Sequence, residues 1–319
     1  MSHFAVAVFT DGTKTVDELL APYQENNMGD CPKEYLEFNS VTEESRRTYE
    51  NESRERARLK DGSIVWPTSD ILYRQITAAE YNCIRTDKNN LTKTVGWGDN
   101  TKYFVRDLEL IGAEIINIPF KEMYPTFEEF MKDYEGYSWD EDKEDWGYWE
   151  NPHAKWDWYT IGGRWNGLIK AKTGEPGEAS LFGPIETPKG RYSSAKVKDI
   201  DFTPDKAKYE KRIRFWEVYV EGSPLRPGEN KRDFDGFYKK EWYQARYKNK
   251  EEYAERECAF TTFAVLMPDG TWYEKGQMGW WGCSGESHEE AYDWDKHYKE
   301  NFIDKADPEW TLTIVDCHI

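Results

Sequence analysis

Four large aromatic residues, three glycines and one arginine lie within the thirteen residues Lys155–Gly167 (KWDWYTIGGRWNG), and no other segment constrains the fold as strongly. Rings at this density are stable when they are buried or stacked, and glycines let two backbones approach closely. The segment therefore predicts a structural centre in which its three tryptophans are largely buried. The residues of this Gly-Gly-Arg centre are Trp156, Trp158, Tyr159, Gly162, Gly163, Arg164 and Trp165.

A ligand site is the alternative interpretation of the same centre. Backbone N–H groups of Gly162 and Gly163 and the guanidinium of Arg164 are groups that bind phosphate. However, the chain contains neither a P-loop nor a Gly-x-Gly-x-x-Gly motif. We therefore favour a structural role, in which Arg164 stacks on a neighbouring tryptophan as a cation–π pair.

The two ends of the chain predict the fold class. His3–Phe9 is an apolar run typical of a buried strand, and a helix-capping pattern follows at Thr15 and Glu18. Near the other end, 262–267 and 271–273 flank the turn Pro268–Gly270, and 311–319 is a further apolar strand. The prediction is an α+β fold with a mixed sheet built from N- and C-terminal strands, flanking helices and a helical or irregular insertion.

Three regions follow from this pattern. Residues 1–170 are predicted to form an N-terminal α+β core that includes the Gly-Gly-Arg centre. Residues 171–256 are predicted to form a linker, rich in Gly, Pro, Ser and Lys up to residue 204, and then a helical arm. Residues 257–319 are predicted to complete the core with a hairpin, a helix and a strand. Residues 42–60 are almost wholly polar and predict a solvated helix that begins at Thr42.

The charge balance restricts the partners. Lysine and arginine number 43 and aspartate and glutamate 61, which leaves a formal net charge of −18. Such a field repels nucleic acid and anionic membranes and favours a protein partner with a basic surface. Solubility alone is the other interpretation of the acidity. No run of residues is apolar enough to predict a membrane span.

Cysteine and histidine usage indicates no cofactor and no metal site. The five cysteines are widely spaced and form no Cys-x-x-Cys pair, which predicts free thiols in a reducing cytoplasm. A zinc site from Cys283, His288, Cys317 and His318 is disfavoured, because adjacent strand residues point to opposite faces. A nucleophilic Cys283 with His288 or His297 as base is also disfavoured, since glycines before a helix cap are ordinary turn chemistry.

Two segments are candidates for a protein interface. Residues 135–150 hold seven acids, one lysine and several rings, and predict an exposed loop with aromatic anchors. The second candidate is the helical arm, at about 205–256. The candidate interface residues are Tyr137, Trp139, Asp140, Glu141, Asp142, Trp146 and Trp149 in the loop, with Trp216 and Trp242 in the arm.

Motifs along the whole chain resemble a family of accessory proteins of tailed phages and prophages. They are MSHF at 1–4, LAPY at 20–23, KWDWY with GGRW at 155–165, MGWWG at 278–282 and VDCHI at 315–319. The resemblance carries over no catalytic residue. It implies a protein of the host cytoplasm that binds and inhibits a host assembly, such as the Gabija nuclease–helicase defence system. The alternatives are an enzyme or nucleotide-binding protein that uses the Gly-Gly-Arg centre, and a phage structural component; homo-oligomerisation stays open.

Overall fold

The computed structural model describes residues 2–84, 91–172, 191–279 and 283–319. The chain divides into two compact units. Unit 1 comprises Met1–Glu37 and Glu150–Ile319, and unit 2 comprises Phe38–Trp149. The boundaries therefore differ from those predicted at 170 and 256. The reason is that both ends of the chain pair in one sheet of unit 1, and the part of the chain that forms the other unit begins at residue 38.

The strands and helices of the described residues have the following bounds. The strands are β1 His3–Thr10, β2 Glu37–Ser40, β3 Ser53–Arg58, β4 Ile64–Val65, β5 Tyr73–Ile76, β6 Thr92–Val95, β7 Lys102–Arg106, β8 Glu114–Pro119, β9 Ser138–Asp140, β10 Asp145–Glu150, β11 Trp158–Ile161, β12 Ile169–Lys170, β13 Arg191–Tyr192, β14 Ser194–Lys196, β15 Ala264–Leu266, β16 Trp272–Glu274 and β17 Thr311–His318. The helices are α1 Val16–Leu20, α2 Thr42–Asn51, α3 Ala78–Ile84, α4 Leu108–Ile111, α5 Phe120–Met123, α6 Phe127–Glu129, α7 Lys206–Phe215, α8 Lys240–Arg246, α9 Lys250–Cys258 and α10 His288–Tyr298. Wider π-helical turns extend three of these helices, over Phe130–Glu135, Trp216–Val220 and Lys299–Ile303.

The main sheet of unit 1 joins the two ends of the chain. Its strand order is β11-β17-β1-β15-β16, and β14 also pairs with β17. Strand β1 runs antiparallel to β17 over its whole length, from the pair His3 and His318 to the pair Thr10 and Thr311. On its other side β1 is parallel to β15, which forms the predicted hairpin with β16. The predicted α+β fold, with one mixed sheet built from terminal strands, is thus confirmed.

The apolar run of β1 reflects a sheet that is covered on both faces. On one face Ala7, Phe9 and Ile314 pack with Tyr298 of α10. On the other, Val6 and Val8 are among the residues that pack with Leu20 of α1 and with Trp156. A strand buried on both faces reads as a continuous hydrophobic run, and for this reason it is recognisable in the sequence.

Part of the predicted linker belongs to this core. Residues 173–190 lie outside the described residues, but β14 pairs with β17, and Ala195 and Ile200 are buried against Leu312. In the region of the predicted helical arm, α7 is followed by α8 and α9. Helix α9 begins separately from α8, because the side chain of Asn249 accepts the Glu252 N–H and caps the new helix.

In its described residues, unit 2 contains three small three-stranded sheets, in the orders β2-β10-β9, β4-β3-β8 and β5-β7-β6. Its core is formed by Phe120, Phe130, Met131 and Trp146. Helix α2 begins at Thr42 as predicted, but the predicted helix over 42–60 is wrong beyond Asn51, where the chain turns into β3.

Candidate functional site

The Gly-Gly-Arg centre brings the chain against β17. Gly162 and Gly163 have φ angles of +75° and +46°, which favour glycine. A Cβ atom on Gly163 would lie 2.3 Å from Oδ2 of Asp316. The N–H of Arg164 donates to that same oxygen at 2.9 Å, and the N–H of Gly162 donates to the Ile314 carbonyl at 2.8 Å. The glycines are therefore required for close approach, and one of the donors proposed for a phosphate, the N–H of Gly162, is already used.

The tryptophans of the centre have three different environments. Trp156 is buried, and its indole N–H donates to the Leu20 carbonyl at 3.1 Å. Trp165 is half-buried against the sheet core. Trp158 is 47% exposed, which contradicts the predicted burial. Its strand, β11, is the last strand in the sheet order, and among the residues that the structure describes no strand lies beyond it. Composition alone does not distinguish such an edge from a core position.

The contacts of Arg164 differ from the expectation, whereas Tyr159 packs against Trp156. Arg164 is exposed, and none of the cation–π pairs among the described residues includes it, so the predicted clamp is not formed. Tyr159 lies on the face of the sheet opposite to Trp158. Its ring is edge-on to that of Trp156, with the ring centroids 5.0 Å apart. Its hydroxyl donates to Asp17, and burial raises the pKa of that phenol.

Two histidine–aspartate pairs, which the sequence patterns did not predict, lie beside the centre. His3 Nδ1 is 2.8 Å from Asp316 Oδ1, and His318 Nδ1 is 2.6 Å from Asp157 Oδ1. The two imidazole rings are edge-to-face with centroids 4.9 Å apart. The signal available in the sequence is the alternation of Asp316 and His318 on the last strand, which places both on one face.

Trp158 covers one of these histidines. Its indole stacks on His318 with centroids 4.9 Å apart and an interplanar angle of 18°. His318 is buried, and its Nε2 has no hydrogen-bond partner among the described residues. Because a carboxylate at Nδ1 fixes the ring, Nε2 is the atom left for proton transfer or ligand binding. In His318 that atom is enclosed, whereas His3 borders an open cavity of about 320 Å³.

The predicted acidic loop is a β-hairpin formed by β9 and β10. Asp140 holds its tip together: Oδ2 accepts the Trp149 indole N–H at 2.8 Å, and Oδ1 accepts the N–H groups of Asp142 and Lys143 at 3.0 Å each. These bonds, the one from Trp149 foremost, lower the pKa of Asp140. Glu141 and Asp142 are exposed, whereas Asp140 has a structural role in the turn.

One face of this hairpin is aromatic. Trp139 and Trp146 are directly opposite in the register, with rings edge-to-face at 5.6 Å. Trp139 and Tyr148 are each 42% exposed, and Tyr137 stacks on Tyr148 at 5.9 Å. Trp146 is buried in the core of unit 2, so its prediction as an interface residue is wrong for a physical reason: its ring is already packed.

The helical arm is built around its own aromatic core. Trp216, an interface candidate, is buried with Tyr243 and Tyr253, and is therefore corrected to a core residue. Trp242 is half-buried between Tyr238, stacked at 4.1 Å, and the guanidinium of Arg246, also at 4.1 Å. Phe237, whose ring is edge-to-face with that of Tyr238, is 90% exposed. The sequence did not identify it as an interface candidate.

In unit 2, the exposed ring of Trp97 was also not predicted. Trp97 is 93% exposed in the connection between β6 and β7. Gly96 precedes it with a φ of +92°, and a Cβ there would lie 2.7 Å from the Asn100 carbonyl oxygen. The Gly-Trp-Gly triplet at 96–98 is the signal that could have identified this turn.

Cysteines and histidines form no further centre. Cys31, Cys83, Cys258, Cys283 and Cys317 are all free thiols. Cys317 packs with Phe4, on the opposite face from His318, as the alternation along a strand requires. Within the ranges that the structure describes, no group of three or more His, Cys, Asp or Glu side chains is placed to hold a metal ion.

Comparison of the chain with protein-family models, with curated proteins and with solved structures finds no match. In the described part of the chain, no helix combines the length and the apolar character that crossing a membrane requires.

Proposed function

We propose that this chain is a non-enzymatic phage accessory protein that binds and inhibits a basic host assembly in the host cytoplasm, with the Gabija nuclease–helicase complex as the first target to test. The observation that supports the proposal is the β9–β10 hairpin, which presents exposed aromatic rings beside an acidic tip. Phage origin and host target rest on the resemblance of the sequence motifs.

The hairpin has the two components of a protein-binding surface. Residues 140–145 contain five acids and one lysine, and the whole chain has a net charge of −18. Charges at the rim of an interface accelerate encounter with an oppositely charged partner. Trp139 and Tyr148 expose large rings beside these charges. Aromatic anchors of this kind contribute most of the lifetime of a complex.

The charge component is tested by neutralising three acids that the turn does not use. Glu141→Gln, Asp142→Asn and Glu144→Gln together leave the Asp140 hydrogen bonds in place. Biolayer interferometry on the purified Gabija complex should show association roughly tenfold slower and a weaker salt dependence. The matched control is Glu50→Gln, Glu122→Gln and Asp133→Asn, which removes three exposed acids elsewhere in unit 2. Equal association rates for the two triple variants would exclude the hairpin tip.

The aromatic component is tested separately. Trp139→Ala with Tyr148→Ala should leave association almost unchanged and accelerate dissociation, because the anchors act after encounter. Phe237→Ala, an exposed ring in unit 1, is the control. Failure of the wild-type chain to bind the complex would refute this target, and finding the protein in purified phage particles by mass spectrometry would favour the structural-component alternative.

A further inference from the structure

The cavity of about 320 Å³ in unit 1 lies beside the His3–Asp316 pair. One wall is the start of β1, and Met278 and Ser284, which are bridged to each other, contribute to another. Apolar side chains of Trp165, Phe263 and Met278 contribute to the lining. A volume of this size is at the lower end of small-molecule sites, with apolar walls and few polar groups.

Glu286 is the group in this cavity that requires a partner. Its Oε2 is buried and has no hydrogen-bond partner among the described residues. The side chain lies close over the backbone at Gly276, where a Cβ would come within 2.7 Å of that oxygen. Leaving a carboxylate oxygen buried and unpaired is costly, so such an atom calls for a donor from outside the chain.

Asp295, a lining residue of the cavity, is paired with two cations. Lys275 is 3.1 Å from Asp295 Oδ1, and Arg256 is 3.1 Å from Asp295 Oδ2. Asp295 thus bridges two cations, and neither of them hydrogen-bonds to Glu286 Oε2. The lining residue His3 has its Nδ1 engaged by Asp316, and in the tautomer that carries its proton on Nδ1 the ring offers Nε2 as an acceptor. Glu286 Oε2 is thus an unpaired acceptor at this cavity, and His3 Nε2 is a second acceptor in that tautomer.

We propose that this cavity binds a small organic cation that carries a guanidinium group. The planar guanidinium donates to Glu286, in the geometry that carboxylates accept best, and a further N–H donates to His3 Nε2. The carbon chain of the ligand lies against Phe263 and Met278. This site is independent of the hairpin in unit 2 and of any host partner.

The test uses the full chain and two probes of the same shape. Isothermal titration calorimetry with n-butylguanidinium should show saturable binding in the range up to about 10 mM, and n-butylurea, its neutral counterpart, should not bind. Glu286→Gln should weaken the binding of n-butylguanidinium at least about tenfold. The matched control is Glu289→Gln, an exposed acid three positions further on that is absent from the cavity lining, and it should leave binding unchanged.

Glu286→Asp provides a second variant that keeps the charge and withdraws the carboxylate by one carbon. It should bind with an affinity between those of the wild type and Glu286→Gln, and circular dichroism should show all variants folded. Equal binding of the neutral probe, unchanged binding in Glu286→Gln, or absence of saturable binding in the wild type would each overturn the proposal.

Discussion

At the scale of residues, Asp316 connects the Gly-Gly-Arg centre with the paired histidines. One carboxylate oxygen accepts the Arg164 N–H, and the other contacts His3. Burying a charged carboxylate is costly unless its oxygens are paired in this way. The geometry therefore depends on the absence of a side chain at residue 163.

Gly163→Ala should lower the free energy of unfolding by about 2–4 kcal/mol, because a Cβ would overlap Asp316 and the φ angle is positive. Gly222→Ala is the control, since Gly222 also has a positive φ but nothing lies within 4 Å of its added Cβ. It should cost only about 1 kcal/mol. Urea denaturation measures both, and equal losses would show that the approach to Asp316 is not tight.

The ion pair between Asp201 and Lys170 makes the stability of the fold dependent on pH. The bond from Lys170, 2.7 Å away, and those from Thr203 lower the pKa of Asp201 to about 2 from its ordinary 3.8. Because the folded pKa is the lower one, the stabilisation is complete above about pH 4 and is lost as the pH falls to about 2. Asp201→Asn should therefore cost about 1 kcal/mol at pH 7, after allowance for solvent screening, and almost nothing at pH 2.

Chemical denaturation at a series of pH values tests this dependence. Asp235→Asn, which changes an exposed aspartate without a described side-chain contact, provides the baseline. A difference between the two variants that stays constant from pH 7 to pH 2 would contradict the assignment of the pair.

At the scale of elements, patterns formed by adjacent residues predicted the structure reliably, whereas features that depend on residues distant in sequence were not predicted. The capping box predicted at Thr15 forms, and boxes of the same kind begin helices at Thr126 and Ser287, because each is decided by four adjacent residues. Strand β3, with the sequence SRERAR, has no apolar alternation, and pairing with β8 determines its conformation. The burial of Trp216 and the exposure of Trp158 likewise depend on neighbours that are distant in sequence.

The correction of Trp216 to a core residue can be measured. Trp216→Ala should lower the free energy of unfolding by about 3–5 kcal/mol, because the ring is buried with Tyr243 and Tyr253. Phe237→Ala, which removes a ring that is 90% exposed, should change it by less than about 0.5 kcal/mol. Near-equal stability of the two variants, by thermal and urea unfolding, would return Trp216 to the list of interface candidates.

At the scale of the whole molecule, the sequence predicted that the ends meet but misplaced the separate unit. The pairing of β1 with β15 and β17 was foreseeable, since β1 and β15 are apolar runs and β17 contains the apolar residues Leu312, Ile314 and Val315. Unit 2 lacks such runs. Its strands are short and largely polar, and its core is concentrated in the aromatic residues near 120–146. The histidine–aspartate pairs escaped prediction for a related reason: each pair joins residues more than 150 positions apart.

The division into units predicts that Phe38–Trp149 folds when expressed alone. This fragment contains all of its own core, including Phe120, Phe130 and Met131, and the hairpin with Trp139 and Tyr148. We expect a cooperative thermal transition, dispersed amide signals in an NMR spectrum, and competition with the full chain for the same basic partner. The fragment with Phe130→Ala should lose the transition, because it removes a fully buried ring. An unfolded wild-type fragment would show that the stability of unit 2 depends on unit 1, and a folded fragment that does not compete would place the binding surface in unit 1.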